Sequence, residues 1–189
     1  NISKTNPVWV GTGETAINIL KSALANGGII EKGIGIDTIA AGITFNQPSV
    51  TLAGSGIAHV GGTTGTIIQK SANIAAAISL AAELCAVKNL KLDCNSKTGD
   101  GILIQNCQAA IEDVYIVNVG GTGYALKLDQ ASITFLKRVK IKESYKGIYI
   151  GGTTGSQGVI IEGLSYGIDT PASQSDAFTI ENTTGGQFS

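Results

Sequence analysis

The chain reads as an all-β, right-handed parallel β-helix: one solenoid of about six to seven coils with a short N-terminal capping helix. Two repeats predict it. A small-Φ-x-Φ pattern (Φ apolar) recurs as Gly101-Ile102-Leu103-Ile104, Ala125-Leu126-Lys127-Leu128, Gly147-Ile148-Tyr149-Ile150 and Ala177-Phe178-Thr179-Ile180, in steps of 24, 22 and 30 residues. A second pattern runs in phase with it: Leu90-Lys91-Leu92, Val114-Tyr115-Ile116, Val139-Lys140-Ile141 and Leu164-Ser165-Tyr166, in steps of 24, 25 and 25. Two strands sharing one period are the mark of a solenoid. The two-residue period of a strand sends the Φ positions inward and the middle residue outward. Composition agrees: 26 glycines in 189 residues suit several tight turns per coil, and only 14% of residues are charged.

Taken in order, residues 1–27 form a lead-in and cap, and 28–189 the β-helix. The first twelve residues, with Pro7 and Trp9, read as extended. Residues 13–25 read as a helix with Ala16, Ile17, Leu20 and Leu24 on one face, Thr12 as N-cap and a left-handed exit at Asn26-Gly27. So short a helix needs an apolar surface to cover, and the open first coil supplies one. Residues 28–86 hold roughly two and a half coils of about 24 residues and 87–189 about four. The long 30-residue step contains Thr170-Pro171-Ala172-Ser173-Gln174-Ser175, a polar loop between coils. Thr183 to Ser189 read as a frayed or cut edge. Asn1 and the lack of any Met suit a chain cut or processed from a longer one.

The net charge of −1 argues against bulk attraction to nucleic acid or membrane, and no apolar run approaches bilayer length. Cys85, Cys94 and Cys107 are an odd set without CxxC spacing and read as reduced core thiols. The only histidine, His59, is far from them, so neither a metal site nor a cofactor is expected. The GGTTG segments at 61–65 and 151–155 lack the Gly-Lys-Ser/Thr ending of a phosphate-binding loop and read as turns.

The opening of the chain resembles a known family. A short helix, Ala25-Asn26-Gly27-Gly28-Ile29-Ile30, a Gly33-x-Gly35 turn, an Ile43-Thr44-Phe45 strand and Val50-Thr51-Leu52-Ala53-Gly54-Ser55-Gly56 are similar to the start of the pectate-lyase-like β-helix of bacteriophage tailspikes and related virion proteins. Leu52, Gly54 and Gly56 match that family's L-x-G-x-G strand end. The resemblance implies a helix that caps the barrel. It implies one of three roles: polysaccharide cleavage, pectin degradation or a purely structural virion spike. It also implies a homotrimer of side-by-side solenoids, contacts with other virion proteins and a host-surface glycan, and a place on the virion surface. The chain departs from enzymatic tailspikes in being much shorter.

Coil register gives outward rows, whose members on successive coils stand about 4.8 Å apart. Glycoside hydrolysis needs two carboxylates about 5–9.5 Å apart. Asp129 and Glu181 come nearest, on one row but two coils apart, and read as solvated strand-end acids rather than a catalytic pair. Arg138 faces Asp113 as a cross-coil ion pair. Lys88 and Lys91 interleave Glu112, Asp113 and Asp93, against the clustered acids of a calcium-dependent lyase. The run Lys137, Arg138, Lys140, Lys142, Lys146 is interrupted by Glu143 and split across faces by strand alternation, and reads as solvated. Leu103, Lys127 and Tyr149 share one outward row, and Tyr115 and Val117 lie in two others. Their apolar members predict a subunit wall closed by cyclic symmetry. The expected function is therefore non-enzymatic: a structural and adhesive virion spike, fibre or capsid-decorating protein. The alternative is a fragment of a polysaccharide depolymerase or another carbohydrate-active β-helix enzyme.

Overall fold

A computed structural model describes residues 8–9, 17–18, 24, 26–58, 62, 64–167 and 176–181. They form a right-handed parallel solenoid of about six turns. β1 (Val8–Trp9) pairs in parallel with β2 (Gly28–Lys32) and so adds a rung ahead of the first coil. β3 (Gly35–Ile39) and β4 (Ile43–Phe45) complete that coil. The second holds β5 (Val50–Gly54), β6 (Thr66–Lys70) and β7 (Ala76–Leu80). The third is β8 (Cys85–Asp93) and β9 (Asp100–Gln105), the fourth β10 (Ala109–Val117) and β11 (Tyr124–Asp129). The fifth holds β12 (Thr134–Lys137), β13 (Lys140–Lys142) and β14 (Lys146–Gly151). The sixth holds β15 (Val159–Glu162), β16 (Ser165–Gly167) and β17 (Asp176–Ile180).

Each coil thus presents three strand segments, and stacking makes three faces. The first face stacks β2, β5, the first half of β8 and of β10, β12 and β15. The second stacks β3, β6, the later halves of β8 and β10, β13 and β16. β8 and β10 run through the bend, which joins these two faces in one 11-stranded sheet. The third face is the six-stranded sheet of β4, β7, β9, β11, β14 and β17. Every pairing is parallel, so each coil's backbone donors and acceptors are met by the coils on either side.

The expected inward columns hold. Ile43, Ile78, Ile102, Leu126, Ile148 and Phe178 stand in register, as do Phe45, Leu80, Ile104, Leu128, Ile150 and Ile180. All are buried except Phe178, 41% exposed, and Ile180. These two close the sixth coil, which is packed by a neighbouring coil on one side only among the described residues. The small position of the repeat also has a physical reason. Ala77, Gly101, Ala125, Gly147 and Ala177 alternate along one column. A Cβ on Gly101 would lie 2.5 Å from Ala125 O, and one on Gly147 would run into Ala177 O. At these two glycines the backbone of the next coil comes too close to leave room for a Cβ.

The bend between the first two faces is a ladder of left-handed residues: Asn89 (φ 55°), Asp113 (φ 53°), Arg138 (φ 50°) and Gly163 (φ 71°). Asn and Asp tolerate this region because their short side chains bond locally, but Arg does not share that advantage. In the second coil the bend is stretched by residues 55–65, which is why the period is hidden before Cys85. The earlier part therefore holds two coils, not two and a half.

Ile17 and Asn18 are helical, and Ile17 and Leu24 lie buried in the core, as a cap requires. Gly27 takes the expected left-handed turn (φ 88°), its N–H donating to Leu24 O at 2.9 Å. The rest of the expected helix, Leu20 included, lies outside the described residues, as do Thr170–Ser175, Thr183–Ser189 and His59.

The interior also holds charge that the sequence did not announce. Lys32 and Asp37 form a buried ion pair across the first bend. Fully buried Lys70 donates to Thr98 O (2.7 Å), Gly99 O (3.3 Å) and Ile74 O (3.4 Å), gathering carbonyls of its own turn and of the next coil's turn. Burial lowers its pKa, opposed by Cys94 and Asp100.

Two mutations read the core directly. Leu126→Ala should cost about 2–5 kcal/mol in urea unfolding, through the cavity it leaves. Phe178→Ala should cost clearly less, because that ring is already part-exposed. Gly147→Ala should lower the thermal midpoint more than Gly35→Ala, because a Cβ at Gly35 meets nothing within 4 Å. Gly35 still carries its own positive-φ penalty.

Candidate functional site

The third face carries a cluster of aromatic and charged side chains. Strict alternation from Leu126 and Leu128 would turn residue 124 inward. Ala125, buried at the narrow point, interrupts the alternation, and Tyr124 instead faces out in a half-buried position. Its ring meets Tyr149 of the next coil, with centroids 5.2 Å apart and planes tilted by 48°. Such an offset, tilted arrangement suits the quadrupoles of two rings.

Charged groups frame the pair. Lys127 Nζ lies 5.7 Å from the Tyr149 centroid, and Lys146 Nζ lies 4.8 Å from that of Tyr124 and 3.5 Å from its hydroxyl. Tyr149 Oη donates to Glu181 Oε2 at 3.1 Å and accepts from Gly152 N at 3.2 Å. Burial, then the bond to Glu181, pushes the Tyr149 phenol above its ordinary range. Behind the rings, Asp100 Oδ1 accepts the Tyr124 N–H at 2.9 Å, and burial raises the Asp100 carboxyl.

Leu103, Lys127 and Tyr149 therefore share one row as expected. Asp129 and Glu181 also share a row, with Gly151 between them. Tyr115 is a correction. It lies in the outer row of the second face, beside Lys91 and Lys140, yet it is only 3% exposed, and Val117 is buried too. Lys140 Nζ sits 5.2 Å from its ring centroid. The flanking lysine stems cover a ring that alternation alone would leave bare. Tyr115 offers no surface to another subunit.

The basic run is split across the faces, as alternation implies, and several of its members have partners within the chain. Lys137 reaches Glu162 at 4.0 Å on the first face, Arg138 occupies the bend, Lys140 covers Tyr115 on the second face, and Lys146 covers Tyr124 on the third. The Arg138–Asp113 pair is as read, and bidentate: Nε to Oδ1 at 2.6 Å and Nη2 to Oδ2 at 2.5 Å. Nη2 also meets Glu112 Oε1 at 3.1 Å, and Lys88 Nζ meets Glu112 Oε2 at 3.1 Å. These acids are committed to cations of the chain itself. The three cysteines are buried and unpaired, and burial pushes the Cys94 thiol up to about 12 and that of Cys107 to about 11. They behave as apolar packing, not nucleophiles. The 151–155 segment is a turn, with Gly155 N donating to Gly152 O at 2.9 Å.

The fold and this face define a parallel β-solenoid with an aromatic and charged outer platform. No family model matches the chain, and no curated protein or solved structure is significantly similar to it.

The ion-pair cluster makes a pH prediction. Lys88, then Arg138, holds Glu112 below its ordinary 4.5, and Arg138 holds Asp113 below its ordinary 3.8. Depressed carboxylates contribute stability that is complete above their unfolded values and is lost as pH falls through the folded ones. The thermal midpoint should therefore fall as pH drops below about 4.5, and Arg138→Gln should show a shallower fall over that window. Equal slopes in the two proteins would contradict the pairing.

Proposed function

We propose that the chain is a structural and adhesive protein of the virion-spike, fibre or capsid-decorating kind, which meets a surface glycan through its third face. The observation that carries this reading is the Tyr124–Tyr149 pair held on a rigid sheet. Two tilted rings offer apolar area for the C–H faces of sugar rings. Lys127, Lys146 and Glu181 stand beside them as donors and acceptors for hydroxyls. Because pairing fixes the backbone and the two rings are held by each other and by Glu181, little conformational freedom of the rings is lost on contact. A shallow site of this kind binds weakly alone, and a particle that displays many copies converts it to avid attachment. The residues of the opening segment that resemble phage β-helices support the setting.

A second reading, a depolymerase fragment, is favoured by one feature. Asp129 and Glu181 stand two coils apart across Gly151, about 9.6 Å by stacking, with the Tyr149 hydroxyl lying over Gly151. That separation is at the upper limit for an inverting pair.

The test is binding to a panel of bacterial surface polysaccharides. Tyr124→Ala and Tyr149→Ala should each weaken binding by about tenfold or more, a loss of about 1.4 kcal/mol or more. Asp129→Asn, which lies outside the ring pair and its partners, should leave the binding of intact polysaccharide in place. Release of reducing ends by the wild type, lost in Asp129→Asn, would favour the second reading. Binding that is indifferent to both tyrosines would overturn the first.

A further inference from the structure

The first face carries two outward rows that the glycan reading does not use. One row, coil by coil, is Ile29, Thr51, Ala86, Ala110, Phe135 and Ile160. Phe135 is 48% exposed, Ile29 and Ile160 are similarly bare, and Leu84, 62% exposed, and Ile133 rim the row. Between the large residues the small ones leave a hollow of about 270 Å³, with Thr51, Ala86 and Ala110 in its lining. The next row is Glu31, Ala53, Lys88, Glu112, Lys137 and Glu162. From the third coil onward its signs alternate: plus, minus, plus, minus.

We propose that this face binds a second copy of the chain, solenoid axes antiparallel, about a two-fold axis that runs along the strands between the fourth and fifth coils. That operation keeps each row over itself and reverses the coil order. Lys88 then faces the partner's Glu162, and Glu112 faces the partner's Lys137, so the pairs already formed within each chain, Lys88–Glu112 and Lys137–Glu162, join into one alternating set across the contact. The same axis sets Phe135 over the partner's Ala110 and Ile160 over the partner's Ala86. Large residues meet small ones twice, at the edge of the hollow. One operator thus satisfies charge and shape together, as an isologous contact must.

The alternatives fit worse. An axis one coil earlier buries more coils but sets Glu31 against the partner's Glu162 and Lys137 against Ala53. An axis parallel to the solenoid through the charged row sets every charge against its own copy, which is repulsive. Four overlapping coils extend only about 19 Å along the axis. This is below the size of a standard interface, so the dimer is reversible.

Sedimentation of the intact protein between about 1 µM and 1 mM should show a monomer–dimer equilibrium of micromolar or weaker Kd. Phe135→Asp should weaken it by about tenfold or more, with the thermal midpoint little changed because the ring is exposed. If that variant unfolds, Ile160→Lys reads the same surface. Orientation is tested by mixing a K88C protein with an E162C protein and adding a short bismaleimide. The mixed cross-link should dominate, and K88C alone should give little. A monomer throughout, a trimer, a dimer indifferent to both substitutions, or preferential K88C self-cross-linking would each overturn the proposal.

Discussion

The structure depends on one constraint: each coil must lie in parallel register on the next, at the strand spacing, along all three faces. A parallel strand has no hairpin partner of its own, so its donors and acceptors are met only by equivalent residues about 24 positions away. Any coil that lengthened a strand or moved a corner would leave unpaired backbone on two neighbours. The corners are therefore as fixed as the core. The left-handed ladder from Asn89 to Gly163 keeps one backbone conformation while the side chain changes completely. Arg138 occupies a position costly for its type, and its guanidinium engages both Asp113 and Glu112 of the coil before. The extra residues between β5 and β6 fall at a corner, and both strands still pair with their neighbours on adjacent coils.

The same constraint makes the exterior a set of straight rows. Side chains 24 or 25 residues apart become contacts, and short-range sequence neighbours are sent to different faces. This is how Tyr124 and Tyr149 become a pair, and how a basic run is divided among three surfaces with three separate duties. The core demands only apolar or small residues at fixed positions. The rows outside are free to carry recognition, and each face can carry a different one.

Much of the fold was legible because the period survives from Leu90 onward, and with it the inward columns, the outward rows and the Arg138–Asp113 pair. The second coil was not legible, since its insertion hides the repeat. The candidate site was legible in part. Tyr149 and Lys127 follow from alternation, but Tyr124 does not, because Ala125 breaks the two-residue rhythm for a steric reason visible only when coils are stacked. Tyr115 failed in the opposite sense: alternation gives the side of the sheet but not what lies over it. Phe135, Ile160 and Ile29 belong to a row whose residue types do not repeat, so only the register of stacked coils brings them together. Buried Lys32, Asp37 and Lys70 lie at positions where pattern reading expects apolar side chains; their partners come from other strands and turns.

The most direct test of in-register stacking is a pair of spin-label distances on the third face. Thr44, Ser79, Leu103, Lys127, Tyr149 and Thr179 occupy one row on six successive coils. Labels at Thr44 and Tyr149 should be about 19 Å apart, and labels at Thr44 and Thr179 about 24 Å, each coil adding about 4.8 Å. Distances that rise by one coil spacing, with Ser79–Thr179 equal to Thr44–Tyr149, are what a parallel solenoid predicts. Distances that do not increase with coil number, or that shorten, would contradict it.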